Sequence, residues 1–580
     1  MLEVYEEFNF RGYTFTPSFD QEARCFTKTY NKPLGHYVVQ FKVYPNYLHH
    51  VQFPYLLEIP ERLQGRKLPH LLWFNGYRCC LFSDTSVLDP MNPRSLVATW
   101  ITKLEEIIDL WESGDFNKDF YNEFFVYWTG KEYYLISDPR QHNYLTLYRY
   151  NRISPISGDT AAEYLICHSD EVAEQWSELR NTKGDIDYVG DVVYLEMTHA
   201  PFVPFTRSWP PESTAEFKRW IFEGTEGEFL LEQLFENISQ LPLSKGSASR
   251  KVVITLGFED YAFGFEYQLL LEDQKCIRKY YGPKRKRARG KQSRDKLKER
   301  LLNSMNKVSR IKAIPAYHDF LTARNSRTPT LPLSSKRVAL IGCGTIGGHL
   351  AKSLASLGAG SKFQFSLFDD DTFKPGNTTR HVLGIPYYGE NKAEALCHQL
   401  KESFPQLKII PRRRFFANEN LNEFDILIDA TGDHAFSLQL AKAVNQHRSN
   451  GNRISLVHSW ISAFGHVAKA LLNDNSNSAC YACQFVYGSN GSNGSKTEIY
   501  PGLKSSDIEE ATQSFRKACG ENVLPFGNEA SMSAAGLALE LLNNRSERSP
   551  KLLIRRITDK ATNIKDKRIK KREGCPACGM

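Results

Sequence analysis

An apolar strand, a glycine turn and a helix follow one another directly, and few folds accept that succession. Arg337-Val338-Ala339-Leu340-Ile341 reads as the strand, Gly342-Cys343-Gly344-Thr345-Ile346-Gly347-Gly348 as the turn, and the helix runs on through Leu350 and Leu354. Glycines at this spacing permit a tight turn and let backbone N–H groups at a helix N-terminus approach phosphate. A second apolar strand, Phe363 to Phe368, ends in Asp369, 22 residues past Gly347. That is the range for a carboxylate on a ribose. Gly342, Gly344, Gly347 and Asp369 are therefore candidate nucleotide ligands. From residue 336 to about 470 the chain keeps alternating strand, turn and helix, the pattern of a doubly wound sheet.

An NAD-dependent Rossmann oxidoreductase would explain that much. It does not explain Asp369-Asp370-Asp371, Asn377, Arg380-His381 and Lys392, or a third strand, Phe424 to Ile428, that ends in Asp429-Ala430-Thr431-Gly432-Asp433. Cations and a metal-binding carboxylate around phosphate suit an adenylating enzyme, where charge develops on the α-phosphate during attack. In this order the residues resemble the adenylation domain of the ubiquitin-activating and ThiF/MoeB superfamily, over about 336 to 580. The resemblance implies ATP and magnesium. Asp369 would bind the ribose. Asn377, Arg380 and Lys392 would contact the phosphates, with Asp371 beside them, and an acid near 429 to 433 would hold magnesium. Two acids of the family motif are usually three apart, whereas Asp429 and Asp433 are four apart. Asp433 is favoured, with Asp429 in reserve. Arg324, just before the first strand, is the candidate for an arginine that reaches the partner's nucleotide in a homodimer.

The N-terminus, MLEVYEEFNF, has neither a basic region nor an apolar core, and no run of about eighteen apolar residues occurs. A cytoplasmic, reducing location without a membrane span is expected, where paired cysteines favour metal or catalysis over disulfides. Cys480-Tyr481-Ala482-Cys483 and Cys575-Pro576-Ala577-Cys578 are two such pairs, about ninety residues apart. Four thiolates suit a closed, structural zinc site. Cys519, in Arg516-Lys517-Ala518-Cys519-Gly520, belongs to neither pair, and two adjacent cations would lower its thiol pKa. The family resemblance implies that such a cysteine takes the acyl group from the adenylate as a thioester. Cys343, inside the glycine turn, and Cys397, on a buried helix face, are poorer candidates.

Residues 1–150 carry strand-like runs such as Tyr37-Val38-Val39-Gln40-Phe41 and Phe124-Phe125-Val126-Tyr127-Trp128, and a helix is predicted from Ser95 to about Trp111. The run from Phe53 to Pro60, then His70, then Asn75-Gly76-Tyr77-Arg78-Cys79-Cys80-Leu81-Phe82, resembles the ubiquitin-conjugating fold. Cys80 precedes Leu81-Phe82 as in that family's motif and is favoured as nucleophile; Cys79 is the rival, and His70 would orient the loop. Residues 151–330 read as a connecting α/β region with strands at Asp191–Leu195 and Val252–Leu256. Its basic run, Lys284 to Lys291, reads as a solvated loop. Residues 331–580 make the Rossmann-like adenylation domain. A multidomain α/β protein is expected, with an α+β conjugating-like domain at its N-terminus.

A conjugating-like domain joined to an activating-like one resembles the ubiquitin-transferase-like fusion enzymes of bacterial CBASS anti-phage operons. The resemblance implies adenylation of the C-terminus of a cGAS-like nucleotidyltransferase (a CD-NTase), thioester transfer from Cys519 to Cys80, and ligation to amines of unknown target proteins. A ThiF/MoeB-like adenylyltransferase of a sulfur-carrier protein would not need the N-terminal cysteines. Lys plus Arg number 74 and Asp plus Glu 66, a net charge of +8. That balance is too small to argue for a nucleic-acid partner at this length.

Overall fold

The computed structural model describes residues 2–17, 23–44, 53–72, 77–81, 92–114, 119, 124–180, 182, 185–199, 209–222, 226–243, 248–258, 261–281, 309–325, 333–416, 421–487, 496–504, 506–507, 526–543, 549–562 and 564–579. Cys519 and the basic run at 284–291 lie outside them.

Strands β1 (Thr14–Thr16), β2 (Arg24–Lys32), β3 (Gly35–Val43), β4 (Tyr55–Glu58), β5 (Leu71–Leu72) and β6 (Arg78–Cys79) form a six-stranded antiparallel sheet in the order β1-β2-β3-β4-β6-β5. The predicted helix is present and runs from Pro93 to Ser113. Asn92 caps its start by accepting the Ser95 N–H at 3.0 Å, and Gly114, at φ +73°, ends it in the left-handed region. Leu96, Trp100, Leu104, Ile108 and Trp111 recur every three or four residues and bury one face against Phe8, Phe26 and Phe41 of the sheet and the first helix. Trp100 stacks on Phe41 at 6.3 Å; truncating such a side chain costs roughly 3–5 kcal/mol.

The middle of the chain closes into a barrel. Strands β7 (Lys131–Leu135), β8 (Leu145–Ile153), β9 (Thr160–Cys167), β10 (Asp187–Glu196), β11 (Ser249–Phe258), β12 (Tyr261–Leu270) and β13 (Ser309–Pro315) join in the order β10-β11-β12-β13-β7-β9-β8, and β8 returns to β10. Alternate residues divide the work. Val252, Ile254, Leu256, Phe263 and Phe265 pack outward under helices Gly227–Gln240 and Leu271–Tyr281. Tyr133, Leu135, Leu147, Val253 and Ile311 fill the inside. The strands expected at 191–195 and 252–256 are both here. The division expected at 150/151 falls inside β8, because β7 and β8 pair with strands far along the chain. Phe124–Tyr127 is a helical turn, contrary to its strand-like reading. The run has no polar alternation, and Phe124 and Trp128 are enclosed by Trp209, Trp220 and Phe263.

The C-terminal sheet comprises β14 (Val338–Ile341), β15 (Phe365–Phe368), β16 (Ile409–Arg412), β17 (Ile426–Asp429), β18 (Ser455–Ser462) and β19 (Val467–Asn473). After a two-stranded ribbon of β20 (Phe485–Tyr487) and β21 (Lys496–Glu498), β22 (Leu552–Arg556) completes it. The order is β16-β15-β14-β17-β18-β19-β22, parallel through β18 and antiparallel beyond. Helices Thr345–Ser356, Lys392–Ser403 and Asn528–Asn543 cover one face, and His434–Ser449 covers the other. The chain leaves β14 to one side, then crosses back to β17 on the other. That reversal opens a crevice beyond the carboxyl ends of β14 and β17. Among the described residues no helix is long and apolar enough to cross a membrane.

Candidate active site

The glycine turn fills the crevice because larger residues cannot. Gly342 has φ +89°, and a Cβ there would meet the Thr431 backbone N at 2.7 Å. A Cβ on Gly347 would lie 1.9 Å from the Gly342 carbonyl. Gly344 has nothing within 4 Å of its Cβ position, so an open cradle precedes the N-terminus of helix Thr345–Ser356. His381 holds the turn from behind. Its Nδ1 accepts the Leu383 N–H at 3.1 Å, so its Nε2 carries the hydrogen donated to the Cys343 carbonyl at 2.8 Å. Burial pushes the His381 pKa down, which favours this neutral form.

Asp369 accepts the Cys343 N–H at 2.7 Å and the Asp371 N–H at 2.9 Å. Burial outweighs both bonds and raises its pKa above the usual value. Lys392 opens its helix with Nζ 2.8 Å from Asp371 Oδ2. Asn391 caps that helix and donates through Nδ2 to the Asp369 carbonyl at 2.9 Å. Asp433 caps helix His434–Ser449, accepting the Ala435 N–H at 2.8 Å and the Phe436 N–H at 3.1 Å.

A cavity of about 500 Å³ brings together Gly342, Gly344, Asp369, Asp371, Lys392 and Asp433. Asp429 is not in its wall. Burial would raise the Asp429 pKa, but bonds from His458, Ser437 and Thr431 hold the carboxyl below the usual range. The cavity also has walls that the sequence reading missed: Arg413, Arg414, Phe415, Phe416 and Phe436. Arg414 pairs with Asp370 at 3.0 Å and Arg413 with Glu394 at 3.5 Å. The run Arg412-Arg413-Arg414-Phe415-Phe416 at a strand end was the available signal. Besides Asp429, four predicted residues do not line the cavity: Gly347, packed against the Gly342 carbonyl, and Asn377, Arg380 and Arg324. Asn377 accepts the Lys374 N–H at 3.1 Å, and the Arg380 guanidinium lies 5.1 Å from the Phe526 ring centre. Arg324 is exposed on helix His318–Asn325, which docks through His318 Nε2 on the Ala355 carbonyl at 2.7 Å.

The two cysteine pairs meet. Sγ separations are 3.8 Å for Cys480–Cys483, 3.6 Å for Cys480–Cys575 and 3.4 Å for Cys483–Cys578, with all four side chains buried. Four thiolates around a tetrahedral zinc sit about 3.8 Å apart, so the cluster could hold that ion. Burial pushes the Cys343 and Cys397 thiols up, which disfavours the nucleophilic thiolate at both. In the N-terminal sheet, Cys79 is fully buried in the core, while the next residue, Cys80, is half-buried. The Cys80 N–H donates to the His70 carbonyl at 2.7 Å, and His70 has φ +64°. His70 Nε2 lies 3.7 Å from Asp119.

Residues 324–576 match the ThiF family. The ATP-dependent ubiquitin transferase-like protein Cap2 of Vibrio cholerae is 28% identical and aligns over 98% of this chain and 98% of its own. The protein of the same name in Pseudomonas aeruginosa is 27% identical over 84% of this chain and 81% of its own. The crystal structure of E. coli MccB is 19% identical over 50% of this chain and 72% of that one, with a TM-score of 0.32. The chain is thus a homologue, over nearly its whole length, of the ATP-dependent ubiquitin transferase-like proteins, with a ThiF-family domain in its C-terminal region.

Proposed function

We propose that the chain uses ATP to activate the C-terminus of a protein and passes the acyl group along its own cysteines to a target amine. The observation that carries this reading is the cavity itself: an open glycine cradle and a helix N-terminus face Lys392, Arg413, Arg414 and the acid Asp433. Cations and an acid at the phosphate end serve attack on an α-phosphate and have no task in hydride transfer.

The chemistry splits one hard step into several easier ones. The protein's terminal carboxylate attacks the α-phosphorus and pyrophosphate leaves, giving an acyl adenylate. The Cys519 thiolate attacks the acyl carbon and AMP leaves. The Cys80 thiolate takes over the acyl group by exchange, and a target amine displaces it to form an amide. Asp369 would bind the ribose. Lys392 would exchange Asp371 for phosphate, with Asn377 and Arg380 reaching the phosphates from the adjoining segment. Asp433 would hold magnesium, which would neutralise charge on the phosphates. Arg324 would serve the partner's nucleotide in a homodimer. Zinc fits the four-cysteine cluster as a structural ion with no position left for water. Cys80 is favoured over Cys79 because only Cys80 is accessible. A CD-NTase would be the activated protein and other proteins the targets, in an anti-phage setting and a cytoplasmic location; the likeness to ATP-dependent ubiquitin transferase-like proteins supports the conjugation in this reading. Residues 1 to about 115 would be the conjugating-like domain, and the barrel would connect it to the adenylation domain.

The test is to incubate the purified chain with ATP, magnesium and a CD-NTase and resolve the products on a non-reducing gel. Two thiol-sensitive adducts are expected. Cys519→Ala should remove both, and Cys80→Ala should leave the first. If both variants keep every adduct, the relay is wrong.

A further inference from the structure

Asp429 lies beneath the cavity wall, 2% exposed, and four donors surround its carboxylate. They are the Thr431 N–H at 3.1 Å, the Thr431 hydroxyl at 2.7 Å, the Ser437 hydroxyl at 2.5 Å and His458 Nδ1 at 2.8 Å. The parallel register of β17 and β18 sets His458 directly beside Asp429. The Thr431 hydroxyl in turn accepts the Asp433 N–H at 3.2 Å. The turn that presents the cavity's acid is therefore tied to a buried carboxylate, and the donor farthest along the chain from that turn is a histidine.

A histidine is an expensive choice here. The side chain of His458 is 1% exposed, and its Nε2 has no hydrogen-bond partner. A leucine would fill the space without an orphaned nitrogen, so the polar atom that matters is Nδ1, on Asp429. The ring centre lies 4.8 Å from that of Tyr481. Tyr481 stands between Cys480 and Cys483, and its hydroxyl is 3.2 Å from Nδ1 of His434, the residue after Asp433. Two supports thus converge on residues 431–434. One runs through Asp429, and the other comes from the cysteine knuckle through Tyr481.

We propose that His458 is a positioning residue for the nucleotide site: acting through Asp429 and braced by Tyr481, it holds the Thr431–Asp433 turn so that Asp433 faces the cavity. His458 does not line the cavity, so it acts only through these neighbours. The inference rests on the adenylation reading above. Misplacing a charge-stabilising group by about 1 Å costs on the order of a hundredfold in rate.

The experiment measures ATP–pyrophosphate exchange by the full chain with a CD-NTase, alongside ATP affinity by calorimetry, thermal midpoint and bound zinc. His458→Leu keeps the volume and removes the donor. Its kcat should fall about tenfold or more, with the midpoint and zinc content unchanged. In His458→Asn an amide N–H stands where Nδ1 was, and most of the rate should return. Should the leucine variant fail to fold, Tyr481→Phe provides the second arm, with a smaller loss of kcat and an unchanged midpoint. Equal kcat in all folded variants overturns the positioning role. So does a loss in His458→Leu that His458→Asn does not repair. A wild-type chain that binds ATP but shows no exchange with any protein overturns the adenylation reading instead, and this inference with it.

Discussion

Two sets of cysteines in this chain obey opposite geometries. Cys480, Cys483, Cys575 and Cys578 come from segments 95 residues apart, yet their sulfurs converge within 4.8 Å and all are buried. Cys79 and Cys80 are neighbours in sequence, yet one is in the core and the other reaches the surface. The Cys-x-x-Cys spacing lets one turn of chain aim two side chains at a common point. On an extended strand, successive side chains point to opposite faces. Shared chemistry therefore follows spacing and local backbone, and adjacency in sequence separates the N-terminal pair into a packing residue and a candidate nucleophile.

The largest effect that would break this contrast is removal of one cluster thiol. Cys480→Ser should leave no bound zinc by elemental analysis and unfold the C-terminal sheet region at 37 °C, since structural zinc supplies roughly 10 kcal/mol or more of folding free energy. A chain that keeps its fold and holds no zinc would remove the metal from the comparison. Next in size is the glycine turn. Gly347→Ala should abolish ATP binding and cost on the order of 2–4 kcal/mol in denaturant unfolding, because its Cβ has no space beside the Gly342 carbonyl. Gly344→Ala should fold normally and weaken ATP binding about tenfold, because only a ligand uses the space it occupies.

The N-terminal pair sharpens the contrast further. Cys79→Ala should cost roughly 1–2 kcal/mol of stability and keep the second thioester adduct. Cys80→Ala should change stability by less than about 0.5 kcal/mol and lose that adduct. The reverse outcome would make Cys79 the nucleophile. The smallest effect is a pH dependence. The folded pKa of His381 lies below its unfolded value of about 6.5. The unfolded chain therefore binds more protons in that window. Stability from this group is complete above about pH 6.5 and declines as pH falls toward the folded value. The thermal midpoint should drop between pH 7 and 5.5, and His381→Gln should flatten that slope.

Some of this was legible before any fold was known, and the reasons are local. Gly342, Gly344 and Gly347 stand where a strand turns directly into a helix, and the apolar stripe from Leu96 to Trp111 marks a helix without a break. Neighbours in the chain decide each of these. The Arg412–Phe416 run was visible in the sequence, but nothing local aims it at the nucleotide site; only the pairing of β16 beside β15 brings that strand end to the crevice. His458 carries no motif of its own, and its partner Asp429 comes from a different strand, β17 beside β18. The Phe124–Trp128 run shows the opposite failure. Its composition suits a strand, but enclosure by two tryptophans and Phe263 favoured a helical turn.

The order of strands in the barrel also sets a timetable. β7 is its first strand in the chain and β13 its last, and the two lie side by side. At 5–20 residues per second, a ribosome needs about 10–40 s to travel from one to the other. The N-terminal sheet and its covering helix are complete by Gly114 and can fold while translation continues. The barrel must wait, with β7 lacking its neighbour on one side until residue 315 emerges. Whatever guards nascent chains from mispairing has its longest watch over this middle third.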